Sequence, residues 1–241
     1  MRNGPRYGVQ ICDRCGECPW RNDSFFCQFD PVTLKAFDDI TFVDAYPEGA
    51  LLFAEGELPR GLYIVCYGSA KLTISSGGGK KLITRRVAAG ETLGLTNVMS
   101  GKPYKATAET SSPSQLKFIK REDFLRFSGE YRDVSFNIAR QLIEECDSDA
   151  NQIRALGLAN SAAERLAYLL LSWCDESGVA SKSGMRVYVS MTQEEISQTI
   201  GTSRETVSRI LKSFKDKKII TVRRSSMTVH RRHELEDLIL L

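Results

Sequence analysis

The sequence predicts an α+β fold: an N-terminal β-roll, a long helix, and a C-terminal winged helix-turn-helix. Three observations carry this expectation. Short β-prone runs alternate with glycine-bearing turns from about Thr41 to Phe127. A stretch free of proline and glycine follows, from Glu130 to Leu156. Two polar helix starts then sit ten residues apart, at Thr192 and Thr202. Composition divides the chain into a cysteine-rich segment (1–28), the roll (29–129), the long helix (130–158) and the helix-turn-helix part (159–241).

In the roll, Leu51–Phe53, Leu62–Cys66, Ala70–Ile74, Leu82–Val87 and Gln115–Ile119 are the candidate strands. Their turns include Gly49, Gly56, Gly68, Gly77–Gly79 and Gly90, and so even a spacing suits an antiparallel roll or barrel. Along the long helix, Ala139, Ile143, Cys146, Ala150 and Ile153 recur in steps of three and four. An apolar seam that narrow predicts pairing with a second copy of the chain. The acids Glu144, Glu145, Asp147 and Asp149 sit beside it, so their repulsion is expected to keep the pairing weak.

From Thr192 to Phe214 the pattern is a helix-turn-helix. Thr192 is followed three residues later by Glu195, and Thr202 by Glu205, each pair a capping box. Gly201 lies where the chain must turn. Ile196 and Ile200 give the first helix an apolar face, and Val207, Ile210, Leu211 and Phe214 give one to the second. That burial turns Arg204, Glu205, Ser208, Arg209 and Lys212 outward. Arginine matches O6 and N7 of guanine, and glutamate accepts from the amine of cytosine, so these types suit reading of the major groove. The candidate DNA contacts are Thr192, Gln193, Thr202, Ser203, Arg204, Glu205, Ser208, Arg209 and Lys212. Ile219–Arg223 and Met227–His230, joined by Arg224-Ser225-Ser226, read as a hairpin wing.

Charge agrees with a nucleic-acid partner. The net charge is only +3, yet Gly201–His233 holds ten Lys or Arg against two acids. The chain lacks a P-loop, a dinucleotide fingerprint and a nucleophile elbow, and its two histidines, His230 and His233, sit at the basic wing. A regulator is therefore expected rather than an enzyme. The start has no apolar core of signal-peptide length, and Leu166–Trp173 is too short to span a bilayer. The expected place is the cytoplasm, with no membrane contact.

Seven cysteines in a reducing compartment point to metal or redox chemistry. Cys12, Cys15, Cys18 and Cys27 form C-x2-C-x2-C-x8-C, a run that wraps naturally around an iron–sulfur cluster. Tetrahedral zinc, a thiol–disulfide switch and a structural relic remain alternatives, as does control by a small molecule in the β-roll. Cys66 is a further candidate for the fourth ligand, while Cys146 and Cys174 read as packing residues. Without a metal the segment is expected to lack fixed structure. A ferredoxin-like electron carrier is the rival outside gene regulation, and it leaves the helix-turn-helix unexplained.

A β-roll, a dimerisation helix and a winged helix carrying RETVSR in this order resemble the Crp/Fnr family of bacterial transcription regulators. The resemblance runs from about Phe29 to the end and includes LPRGLYIVCYGSAKL, VAAGETLG and SAAERLAYLLL. It implies a cyclic-nucleotide-binding-like, or cupin-like, roll. It also implies a homodimer that binds a promoter palindrome in double-stranded DNA and contacts RNA polymerase. The family's base-reading positions fall on Arg204, Glu205, Ser208 and Arg209, implying half-sites with a TGA core, TGTGA ahead of TTGAT. A nucleotide-binding roll carries Gly-Glu and, some ten residues later, an arginine that grips the phosphate. This chain keeps Gly90-Glu91 but runs on to Pro103-Tyr104-Lys105-Ala106-Thr107 without it, so no cyclic nucleotide is expected. The Fnr branch holds a [4Fe–4S] cluster on three N-terminal cysteines and one distant cysteine. Here the spacings differ and Thr110–Gln115 has no cysteine, so Cys27 is expected to complete a local set.

Overall fold

Side-chain alternation along short strands lays out the first part of the computed structural model, which describes residues 6–21, 25–181, 183–189, 191–223 and 225–240. The molecule divides into two compact units, Met1–Asp149 and Ala150–Leu241. The first helix, α1 (Pro31–Asp39), begins where Asp30 accepts from the amides of Val32 and Thr33, with proline at the first helical position. Then come β1 (Thr41–Tyr46), β2 (Leu51–Phe53), β3 (Gly61–Tyr67), β4 (Ala70–Ser75), β5 (Lys81–Val87) and β6 (Thr92–Leu93). After α2 (Leu95–Ser100) the chain returns as β7 (Thr107–Thr110) and β8 (Ser114–Lys120). These strands build two four-stranded antiparallel sheets, ordered β1-β8-β3-β6 and β2-β7-β4-β5.

The five strands expected in the roll all form. β1, β6 and β7 were not foreseen in the sequence pattern: β6 is two residues long, and β7 reads TAET, where alanine and glutamate dilute the strand preference of the two threonines. Between the sheets lies a core that includes Phe53, Val65, Leu93, Tyr104 and Leu116. The outer face of the first sheet is buried as well. There Leu62, Ile64 and Ile119 pack against Phe26, Phe37, Phe124 and Val134. Strand β8 therefore faces two interiors: Leu116 points into the roll, while Gln115, Lys117 and Ile119 share the other side.

The helix expected over 130–158 forms as α4 (Arg132–Gly157), and a further helix not foreseen in the sequence, α3 (Arg121–Glu130), precedes it. The break is at Tyr131, which is extended (φ −113°, ψ 111°). Tyr131 and Val134 both pack into the outer-face core, and the Tyr131 ring lies 4.9 Å from that of Phe127. Burying both residues draws the chain round, and helix propensity gives way to packing. The Ser135 hydroxyl donates to the carbonyl of Ser128 across the break (2.6 Å).

Along α4 the two faces differ. Val134, Ile138 and Gln141 are buried. Ala139, Ile143, Cys146, Ala150 and Ile153 are exposed, with Ile143 at 61% and Ile153 at 70%, and Phe136 extends this stripe towards the N-terminus. Glu145 does not belong with the exposed acids. It pairs with Arg85 of β5 (2.8 Å) and accepts from the hydroxyl of Thr96 (2.8 Å).

The second unit continues with α5 (Ala162–Ser177), β9 (Val179–Ser181), β10 (Gly184–Tyr188), α6 (Gln193–Thr199) and α7 (Arg204–Asp216). It closes with β11 (Ile220–Arg223), β12 (Ser226–Val229) and α8 (Arg232–Leu240). Its sheet runs β11-β12-β10-β9, so the wing hairpin is joined by two strands not expected from the sequence. Ser226 belongs to β12, opposite Arg223, rather than to the turn; Arg224 lies outside the described residues. Leu166, Leu170, Ile196, Val207, Phe214 and Val229 anchor a single core here.

Candidate nucleic-acid interface and cysteine site

Local hydrogen bonding fixes where the two helices of the helix-turn-helix begin. At α6 the capping box is complete: the Glu195 amide donates to the Thr192 hydroxyl (3.2 Å) and the Thr192 amide to the Glu195 carboxylate (3.0 Å). Gly201 then turns the chain at φ +65°, in the left-handed region where a side chain is disfavoured. The second start differs from the sequence expectation. Ser203, not Thr202, caps α7, accepting from the Thr206 amide (3.2 Å). Thr202 is half-buried and spends its amide on the carbonyl of Ser197 (2.9 Å). Glu205 keeps a first-turn position, and its own amide and the Ser203 hydroxyl hold its carboxyl below the usual range.

Burial of Val207, Leu211 and Phe214 leaves Ser203, Arg204, Glu205, Ser208, Arg209 and Lys212 exposed together on α7. Thr192 and Gln193 are exposed at the start of α6. Arg165 of α5 braces the pair by donating to the carbonyl of Ile200 (2.8 Å). His230 clamps the wing between the carbonyl of Ser183 (2.5 Å) and the hydroxyl of Thr221 (2.8 Å). The basic charge of this region is partly committed. Arg231 pairs with Glu234, and Arg232 pairs with Asp175 and Glu236. Lys212, Lys215, Lys217, Lys218 and Arg223 remain on the surface.

The four N-terminal cysteines also come together. Cys12, Cys15, Cys18 and Cys27 line one cavity over the outer face of the first sheet, and Cys66 of β3 lines it from below. All are free thiols. Residues 6–21, expected to need a metal for order, have anchors of their own. The Gln115 side chain donates to the Cys12 carbonyl (2.9 Å) and accepts from its amide (2.7 Å). Asp38 of α1 accepts from the amide of Cys15 (3.0 Å), which starts a single 3-10 turn, Cys15–Glu17. Trp20 packs on Tyr67 at 5.0 Å.

Under the cysteines lies a charge that the sequence pattern did not single out. Lys117 is 2% exposed, pairs with Asp38, and donates to the sulfur of Cys15 (2.9 Å). Burial works against its ammonium, but Cys15 and Asp38 outweigh that and hold its pKa above the ordinary value. Burial pushes the Cys15 thiol up to about 12, with Lys117 pulling the other way, and Cys66 likewise to about 12. Cys12 is raised too, by burial and by nearby Cys18. The enclosed space is small, about 20 Å³, room for one water. Among the described residues no three His, Cys, Asp or Glu side chains are grouped as a single metal ion requires.

At the retained Gly90-Glu91 turn, Glu91 accepts from the Ala88 amide (2.6 Å) and from Arg85 (3.2 Å). Arg85 thus bridges Glu91 and Glu145, and its side chain is only 9% exposed. Lys105 faces solvent.

Residues 164–238 match the Crp-like helix-turn-helix domain, and residues 43–131 match the cyclic nucleotide-binding domain. The four N-terminal cysteines lie outside both stretches. The chain is 26% identical over 203 residues to the cAMP-activated global transcriptional regulator CRP of Pasteurella multocida strain Pm70, covering 83% of this chain and 95% of that one. FixK2 from Bradyrhizobium japonicum shares the fold with a TM-score of 0.70 at 21% identity, over 83% of this chain and 97% of that chain. A mutant of CooA from Carboxydothermus hydrogenoformans does so with a TM-score of 0.74 at 18% identity, over 88% and 91%. No helix among the described residues is long and apolar enough to cross a membrane. With both of its domains matched in the same order around the long helix, the chain belongs to the Crp/Fnr family of DNA-binding transcription regulators.

Proposed function

We propose that this regulator reads promoter palindromes as a homodimer, under the control of an iron–sulfur cluster held by its N-terminal cysteines. The observation that carries the sensing half is the gathering of Cys12, Cys15, Cys18, Cys27 and Cys66 around one cavity. Five free thiols at one place, the four N-terminal ones outside both matched domains and Cys66 within the roll, make a donor set that suits a [4Fe–4S] cluster. Cys12, Cys15, Cys18 and Cys27 would hold it, with Cys66 as the alternative for one of them. When bound, such a cluster supplies reactivity towards oxygen and nitric oxide.

The chain's own residues supply the rest. Gln115 and Asp38 fix the backbone of Cys12 and Cys15 on the sheet. Cys15 and Cys66 stay protonated until a metal displaces their protons, so loading releases protons. Because the cavity is tight, loading must spread the thiols apart, with Cys15 kept on the cavity floor by Asp38 and Lys117, and that displacement of the other cysteines is the signal. The exposed stripe Ala139, Ile143, Cys146, Ala150 and Ile153 pairs two copies, giving two α7 helices for two half-sites. Arg204, Glu205, Ser208 and Arg209 read a TGA-core half-site, with Thr192, Gln193, Thr202, Ser203 and Lys212 against the phosphates. A promoter-bound dimer acts in the cytoplasm and contacts RNA polymerase. No cyclic-nucleotide response is part of this reading. The Glu91 carboxylate is engaged by Arg85, and no arginine stands in Pro103–Thr107.

A zinc or thiol–disulfide switch is the second reading, favoured by the small volume between the thiols. Iron, sulfide and zinc content of protein purified without oxygen separates the two. About four irons and four sulfides per chain, with colour lost in air, supports the cluster. A colourless chain with zinc or no metal refutes it.

A further inference from the structure

The cysteine cavity has a charged floor. Lys117 lies on the same face of β8 as Gln115, opposite Ile64 of β3 in the strand register, so alternation alone aims it at the cysteines. Burying an ammonium is costly unless it is paired, and a plain ion pair with Asp38 would meet that need. The geometry goes further. Lys117 also donates to the sulfur of Cys15, and Asp38, beyond pairing with Lys117, accepts from the amide of that same cysteine. Both partners of the pair therefore converge on Cys15. Two other cations line the cavity, Arg14 and Arg21, and both are exposed, so their charge is screened by solvent.

Resting on the reading of this cavity as a cluster site, we propose that Lys117, seated by Asp38, is the positioning residue that counters the thiolates' charge and directs a hydrogen bond to Cys15. A cubane held by four thiolates would be a net anion, and Lys117, which donates to the sulfur of Cys15, would be the buried cation among its ligands. In a low-dielectric floor that attraction is much stronger than at the surface. The form of the site carrying more negative charge, the reduced one, gains most from it. Lys117 thereby sets the midpoint potential as well as the grip on iron.

The test compares the full-length chain with Lys117→Met, Lys117→Gln and Lys117→Arg after anaerobic loading with iron and sulfide. Expected for the two neutral variants are a more negative midpoint potential and several-fold faster loss of iron to a chelator, with Lys117→Arg restoring both towards wild type. A residue that merely held the fold would speed iron loss and leave the potential where it was; that result overturns the inference. Should the neutral variants fail to fold, wild type with 15N at lysine Nζ decides. Magnetic coupling of a lysine nitrogen to the reduced cluster is expected, and its absence overturns the proposal. Failure of the wild type to take up iron and sulfide sinks the cluster reading itself, whereas a loaded wild type with indifferent variants sinks only the role of Lys117.

Discussion

Arg209 stands exposed on α7 beside Ser208 and one turn from Glu205, which is where a base-reading arginine has to be. Arg209→Ala is expected to cost about 1–3 kcal/mol on a TGA-core palindrome and to relax preference at one base pair. A binding-site selection assay checks this; unchanged selectivity contradicts the assignment. Ser203→Ala should lower stability by about 1 kcal/mol, and Thr202→Ala by less, measurable by denaturant titration. These positions were legible because capping and periodicity are local. The slip from Thr202 to Ser203 has a local cause too: serine and threonine cap nearly equally well, so adjacent ones compete. Lys117 was not legible. A lysine among Gln-Leu-Lys-Phe-Ile reads as the solvent side of a half-buried strand, and the N-terminal segment and α1 laid over that face make it an interior residue.

At the scale of elements, α4 uses two faces for two tasks. Its inner face joins the core over the outer face of the first sheet, and its outer stripe remains apolar and open. Ile143→Asp should weaken self-association by about 1.5–3 kcal/mol, roughly tenfold or more in the dimer dissociation constant. Sedimentation would show it as monomer, with palindrome affinity falling in step; an unchanged dimer excludes the seam. Arg85→Met leaves Glu91 and Glu145 without their shared cation in a largely buried place, and should cost about 3–5 kcal/mol of stability. A thermal melt with no shift would show that the bridge is dispensable. The exposed apolar stripe of α4 was readable from its spacing. The break at Tyr131 was not, since no proline or glycine marks it and the cause is a tertiary contact with Phe127. Nor were β9 and β10, which pair with each other and join the wing through β12.

The alkaline stability of the whole molecule follows from its thiols. Cys15 and Cys66 are held protonated by burial, with pKa values of about 12 against an ordinary 9.0. Unfolded thiols ionise first, so the unfolded state binds fewer protons once pH passes 9.0. The metal-free chain should therefore have this contribution in full below pH 9.0 and lose it progressively towards pH 12. Cys15→Ala with Cys66→Ala should flatten that alkaline limb in a chemical denaturation series; an identical slope would show that these thiols are not the cause. The order of parts was legible along the whole sequence, because a roll, a long helix and a helix-turn-helix each have their own period. What was hidden is that residues 6–21 have a place on the roll through Gln115 and Asp38, contacts made across up to 103 residues of chain.

Strand β8 also bears on how this lineage can vary. Leu116 and Lys117 are neighbours that look into opposite interiors, so one deleted residue upstream in the strand would exchange them. The lysine would enter the roll and the leucine would meet the cysteines, damaging both at once. Codon-level deletion scanning should find Ser114–Lys120 intolerant, while the exposed Gly77–Gly79 turn accepts changes of length. Descendants of this protein are free to retune the cysteine site by substitution, but along β8 they cannot do so by insertion or deletion.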